Sequence, residues 1–138
     1  MEAENYVFEM EIPSDPYQIH RVEENLEKFF RKSGLEETDI ENIGIAATEM
    51  VNNAIHHGNR DDRKKKVYIK FIKLAHQIEI VIRDDGGGFD PNSIADPLDP
   101  ENLFKESGRG IFIVKSLMDD VKFKFNQNGT EVTLIKYL

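Results

Sequence analysis

RDDGGGFDP, the stretch from Arg83 to Pro91, follows the alternating run QIEIVIR and places two aspartates before three consecutive glycines. Glycine is used where the backbone needs a positive φ or where a ligand must approach it closely. Asp-Gly is also among the commonest pairs in turns. The stretch alone leaves two interpretations open, a turn between two elements or a loop that holds a ligand. The residues on either side must decide between them.

Those flanking residues predict an α+β chain. Alternation of apolar and polar residues predicts strands at 4–12, 67–74, 77–83, 121–126 and 130–138. Apolar residues at helical spacing predict helices after Ser14-Asp15-Pro16, at about 39–57, and from near Gly110. Gly34 is expected to close the first helix. This order predicts an α/β (α+β) two-layer sandwich, a mixed β-sheet covered on one face by about three helices.

Composition limits the function further. The chain has 138 residues and 39% hydrophobic residues, which suits one domain over 1–138 with a real core. Its net charge of −8 argues against a protein that grips nucleic acid. It has no cysteine, so thiolate metal sites and a cysteine nucleophile are excluded. No apolar run suits a membrane span and no signal peptide is visible, so a cytoplasmic protein is expected.

Two polar residues on the second predicted helix, Glu49 and Asn53, are the first candidates for chemistry. They are spaced i, i+4 and therefore share one face, which points away from the apolar stripe of that helix. They could be an ordinary solvated pair. They could also act together, because an amide oxygen is a suitable ligand for Mg²⁺ and a carboxylate can accept a proton from an attacking hydroxyl.

Four motifs in order decide between these alternatives. EMVNNAIHHGN lies on a helix, DDGGGFDP follows a strand, SGRGIFIV opens a helix after a proline-rich segment, and NGTEVTL lies in the last hairpin. Over residues 40–138 this arrangement resembles the GHKL family of ATP-binding domains, which includes gyrase and the sensor histidine kinases. The length and the helix GIFIVKSLMDDV are most similar to the bacterial stand-alone anti-sigma-factor serine kinases.

The resemblance implies a role for each matching residue. Asp84 would accept a hydrogen bond from the adenine amino group, with Gly86 and Gly88 letting the backbone approach the base and Thr130 close by. Asn53 would bind the Mg²⁺ that bridges the ATP phosphates. The segment at about 91–107 would be the ATP lid. The phosphates would lie at a helix start formed by Gly108, Arg109 and Gly110, where free N–H groups favour anions; Arg109 could contact a phosphate or be solvated.

The resemblance also implies a reaction. Glu49 would be the catalytic base that activates a serine hydroxyl of an antagonist (anti-anti-sigma) protein for attack on the ATP γ-phosphate. The partners would be that antagonist and a sigma factor or an analogous regulator, with a homodimer as the assembly. Glu106 departs from the family, since related kinases often have a basic residue there. An alternative therefore stays open, a nucleotide-dependent protein-binding module with weak or no kinase activity.

Overall fold

A computed structural model describes residues 6–86, 108–126 and 128–138, apart from the side chains of Arg109 and Asn126. The described strands are β1 Tyr6–Pro13, β2 Lys66–Lys73, β3 Gln77–Asp84, β4 Asp120–Asn126 and β5 Gly129–Tyr137. The α-helices are α1 Ile19–Lys32, α2 Glu37–Asn53 and α3 Gly108–Leu117. A 3-10 turn, Pro16–Gln18, precedes α1, and a π-helical turn, Ala54–Gly58, extends α2. None of the described helices is both long and apolar enough to cross a membrane.

The ends of α1 follow the signals in the sequence. The Asp15 side chain accepts a hydrogen bond of 3.0 Å from the Tyr17 N–H, and Pro16 occupies the first helical position. Both features favour a helix start, because the N–H groups of the first turn have no partners within the helix. Gly34 has a φ of +90°, which a residue with a side chain rarely adopts. The predicted first helix is therefore confirmed at both ends.

The sheet has the strand order β1-β2-β3-β5-β4, and all four neighbouring pairs are antiparallel. The two-layer α+β sandwich is confirmed, but the prediction of a mixed sheet is wrong. Two helices in succession, α1 and α2, bring the chain back antiparallel to β1, where a single crossover helix would give a parallel neighbour. At the other edge of the sheet, β5 lies between β3 and β4 and pairs antiparallel with both, so β3 and β4 are not neighbours.

The core lies between the three helices and one face of the sheet. Alternate residues of β2 and β3 point into it, and α1, α2 and α3 pack over β2, β3 and β4 respectively. The predicted apolar stripe of α2 is buried as expected: Ile40, Ile43, Ala47, Met50, Val51 and Ala54. Ala46 is buried as well, because α2 also contacts α3. Because α2 packs against both the sheet and α3, its rotation is set, and so is the direction of the face that carries Glu49 and Asn53.

Candidate functional site

Asp84, the last residue of β3, is a charged side chain inside this core, with only 5% of its surface exposed. Its Oδ1 accepts backbone hydrogen bonds from Gly86 N at 2.9 Å and Thr130 N at 3.1 Å. The pairing of β3 with β5 brings Thr130 to this position. Among residues 6–86, 108–126 and 128–138, no donor reaches Oδ2. One carboxylate oxygen is thus fixed by the backbone, while the other is left for a ligand.

Burial has an electrostatic consequence for this carboxylate. It raises the pKa of Asp84, because a buried site solvates the charged form poorly, and the two backbone N–H groups oppose the shift only in part. A further hydrogen-bond donor placed at Oδ2 would stabilise the ionised form. The exocyclic amine of adenine is such a donor, whereas the carbonyl at the same position of guanine is not.

Three glycines pack closely around Asp84, where a side chain would not fit. A Cβ on Gly58 would overlap Asp84 Oδ2, one on Gly86 would overlap the carbonyl oxygen of Gly58, and one on Gly129 would overlap the carbonyl oxygen of Asp84. Gly129 also has a φ of +144°. Gly86 was predicted to matter, but Gly58 and Gly129 were not among the predicted site residues. Gly58 ends the π-helical turn after α2, and such turns are frequent at functional sites.

Gly58→Ala should therefore impair a ligand site at Asp84 and also lower the stability of the fold. The new methyl group must displace the carboxylate, so we expect a loss of nucleotide affinity of about tenfold and a destabilisation of about 1–3 kcal/mol from overpacking. Gly44→Ala on α2 is the matched control, because its Cβ would meet only Leu26 Cδ2 at 3.9 Å. Calorimetric titration and denaturant unfolding of both variants test this. Equal nucleotide affinity in the two variants would contradict it.

The side chain of Glu49, a residue of α2, lies beside the start of α3. A Cβ on Gly110 would lie 2.7 Å from Glu49 Oε2, so the carboxylate nearly touches the backbone of the first helical turn. The N–H groups of a first turn have no partners within the helix and carry partial positive charge. The structure thus brings Glu49 together with Gly110, as the predicted site requires. An anion bound at this helix start would have a carboxylate beside it.

Asn53, one helical turn beyond Glu49, presents an amide oxygen. Its Nδ2 points to Met50 Sδ at 3.8 Å, and its Oδ1 accepts no hydrogen bond from any residue that the structure describes. An uncharged oxygen ligand of this kind fits Mg²⁺, which usually takes one or two protein ligands and completes its shell with water and phosphate. The described residues include no cluster of three or more His, Asp or Glu side chains able to hold a metal. A magnesium ion here would take its other ligands from phosphate and water.

Several predicted positions fall outside the described residues. These are Gly88, the side chain of Arg109, Glu106 and the proposed lid at about 91–107, and their roles stay predictions. Asp85 points away from Asp84. Its Oδ2 accepts a hydrogen bond of 3.1 Å from the Tyr68 hydroxyl, and its Oδ1 lies 3.4 Å from Arg83 Nη1. Asp85 therefore fits a turn residue rather than a ligand.

Asn59 is 1% exposed, although it lies in the polar segment HGNRDDRKKK at 57–66. Its Oδ1 accepts a hydrogen bond of 2.8 Å from the Asp85 N–H, directly after Asp84. The residues of the segment HGNRDDRKKK are otherwise largely exposed, and no periodicity distinguishes one buried residue among them. A weak signal was available in the Gly58-Asn59 pair after a helix, since this combination is common at helix ends.

A shallow groove of about 450 Å³ lies on the open face of the sheet, opposite the helices. Its polar side chains are largely paired: Lys70 with Glu9 at 3.3 Å, and Arg83 with Asp85 and over the Tyr68 ring. Because Arg83 and Asp84 are consecutive in β3, their side chains point to opposite faces. The groove is thus separate from the cluster around Asp84, Glu49 and Asn53.

Comparison with known proteins identifies the family of this chain. The model of the family described as histidine kinase-like ATPase domain matches residues 12–136. The serine-protein kinase RsbW of Bacillus velezensis is 31% identical over 94% of this chain and 84% of its own length, and that of Staphylococcus aureus is 30% identical over 100% and 91%. In a crystal structure of the RsbU and RsbW domains of a Mycobacterium tuberculosis protein, the matched part covers 95% of this chain and 32% of that one, with a TM-score of 0.71 at 17% identity. The chain therefore belongs to the histidine kinase-like ATPase domain family.

Proposed function

We propose that this protein is an ATP-dependent protein serine kinase that phosphorylates an antagonist protein and thereby regulates a sigma factor or a similar partner. The observation that carries the proposal is the Asp84 carboxylate, buried and held at Oδ1 by two backbone N–H groups, with Oδ2 left for the adenine amine. The names of the relatives, serine-protein kinase RsbW, support the same class of reaction.

The base would bind at one end of the site and the phosphates at the other. Adenine would approach Asp84 Oδ2, which packs against Gly58 so closely that a side chain there would displace it. The phosphates would extend toward the first turn of α3. Glu49, beside Gly110, would then stand next to the γ-phosphate and not next to the base.

Each residue near the phosphates has a task in the transfer. Mg²⁺, when bound, neutralises charge on the phosphates and draws electron density from the leaving oxygen. The Asn53 amide oxygen would hold that ion. Glu49 would orient the serine hydroxyl and accept its proton as the bond from the serine oxygen to phosphorus forms and the bond to the ADP oxygen breaks. The products are phosphoserine and ADP.

Incubation of the purified chain with labelled ATP, Mg²⁺ and its antagonist protein tests the proposal. We expect label on one serine of the antagonist, mapped by mass spectrometry, and little label when GTP replaces ATP, because the guanine carbonyl would face the Asp84 carboxylate. Absence of ATP binding by calorimetry would overturn the whole proposal. Equal use of ATP and GTP would overturn the role of Asp84 alone.

One sequence feature favours a second function. Glu106 occupies a position where related kinases often carry a basic residue, which points to a nucleotide-dependent binding module with weak or no transfer activity. The same experiment separates the two functions. Tight ATP-dependent binding of the antagonist without phosphoserine would identify the binding module. The homodimer and the cytoplasmic location expected from the sequence stay predictions.

A further inference from the structure

Asn59 uses both ends of its side chain inside the protein. Its Nδ2 donates to Ser14 Oγ at 2.7 Å and to the Lys66 carbonyl oxygen at 3.0 Å, while its Oδ1 accepts from the Asp85 N–H at 2.8 Å. Ser14 is also buried, with 1% exposure, and its hydroxyl donates to the Lys65 carbonyl oxygen at 2.8 Å. The network thus joins the segment after β1, the start of β2 and the turn after β3.

The bond to Asp85 fixes the peptide that carries the ligand-binding carboxylate. The Asp85 N–H belongs to the peptide unit that begins with the carbonyl of Asp84, so Asn59 sets the plane of that unit. The next N–H, of Gly86, bonds back to Asp84 Oδ1. Rotation of the Asp84–Asp85 peptide would move the Gly86 donor and leave Asp84 Oδ1 with the Thr130 N–H alone, so the carboxylate could turn. A side chain that bonds to the peptide after Asp84, and not to its carboxylate, would therefore control where Oδ2 points.

We propose that Asn59 is a positioning residue for base selection: it holds the Asp84–Asp85 peptide so that the Asp84 carboxylate accepts from adenine and rejects guanine. The inference rests on the proposed nucleotide site. Other contacts to the turn are weaker candidates for this task. The Lys65 ammonium reaches the Gly86 carbonyl only at 3.4 Å, and the Asp85 side chain is held on the open face of the sheet, where a third of it is exposed.

The network itself supplies a matched control. Ser14 contacts Asn59 at the end away from the turn, so Ser14→Ala removes a buried hydrogen bond but leaves the Asp85 bond in place. It should lower the denaturant concentration at the unfolding midpoint, because one N–H of Asn59 is left without an acceptor. It should leave the preference for ATP over GTP within about twofold of the unmodified chain, because the peptide plane stays fixed.

The test measures the Kd for ATP and for GTP by calorimetry, with unfolding free energies from denaturant, for the unmodified chain, Asn59→Ala, Asn59→Asp and Ser14→Ala. Asn59→Ala should lose about tenfold in ATP affinity, about 1.4 kcal/mol for one buried hydrogen bond, and most of the preference for ATP. Asn59→Asp keeps the acceptor for the Asp85 N–H. It should recover most of the preference even though it loses stability.

The outcomes separate this inference from the proposed function. If the unmodified chain prefers ATP and Asn59→Ala prefers it equally, the positioning role is wrong and the nucleotide site stands. An equal loss of preference in Ser14→Ala and Asn59→Ala would also overturn the positioning role, since it would show a general effect of stability. If Asn59→Ala does not fold, Asn59→Asp tests the inference. This variant retains an acceptor for the Asp85 N–H, so loss of its preference for ATP over GTP would contradict the positioning role. No nucleotide binding by the unmodified chain would overturn both.

Discussion

Asp84→Asn should lower the affinity for ATP by about 100-fold and leave the fold intact. The carboxylate offers a charge-assisted hydrogen bond to the adenine amine, worth up to about 3 kcal/mol, or about 100-fold in Kd. The amide can keep the Gly86 and Thr130 hydrogen bonds with its oxygen, but it then turns its NH₂ group toward the ligand. That donor would face the amine of adenine. The Kd for ATP and for GTP, from calorimetry, measures the effect.

Asp85→Asn is the matched control, because the side chain of Asp85 faces Tyr68 and Arg83 on the other side of the sheet. It should change the ATP affinity by less than about fivefold, since an exposed ion pair contributes about 1 kcal/mol or less. Similar losses in the two variants would show that the turn, and not the Asp84 carboxylate, carries recognition. An unchanged affinity in Asp84→Asn would remove adenine from this site.

Stability gives an independent check of the same substitution. Burial raises the pKa of Asp84, so the folded chain holds the proton more tightly than the unfolded chain does. The stability that this group contributes is therefore present at acid pH and is lost as the pH rises through the raised pKa. Asparagine carries no charge at either pH. Asp84→Asn should raise the free energy of unfolding more at pH 7 than at acid pH. If the charged carboxylate stabilised the fold, the same substitution would lower the free energy of unfolding at pH 7.

The local parts of the fold could be predicted from the sequence because they depend on spacing. The buried stripe of α2, the Asp15 cap and the position of Asp84 at the end of a strand each depend on residues close in the sequence. The same spacing placed Glu49 and Asn53 on one helix face. The mixed sheet was the error, because strand direction depends on how many helices intervene and on which strands become neighbours.

The long-range parts of the site could not be predicted for a similar reason. Asn59 bonds to Ser14, 45 residues earlier in the chain, and to Asp85, 26 residues later. The residues next to Asn59 in the sequence do not indicate either hydrogen-bond partner. Gly58 and Gly129 matter because each faces Asp84 across the fold. The sequence around a glycine in a polar segment does not show which distant atom packs against that glycine.

Glu49→Ala should separate binding from chemistry. Its carboxylate lies beside Gly110 at the start of α3, while Asp84 and the three glycines around it hold the base. ATP affinity should therefore stay within about threefold. Loss of a general base typically lowers the rate about 10²–10⁴-fold, and we expect the lower half of that range because positioning and metal electrostatics supply most of the catalysis in phosphoryl transfer. Asn53→Ala should instead lose Mg²⁺-dependent ATP affinity and activity together.

Two measurements on Glu49→Ala decide its role, the Kd for ATP by titration and the rate of serine phosphorylation of the antagonist. Glu41→Ala is the control, since Glu41 lies two turns earlier on α2, is exposed, and should leave both quantities unchanged. Phosphorylation at the normal rate in Glu49→Ala would leave the Glu49 and Asn53 pair as a solvated helix face. Loss of affinity together with activity would instead place Glu49 in the shell of the metal or in the fold, because a base that touches only the attacking hydroxyl has no contact with the bound nucleotide to lose.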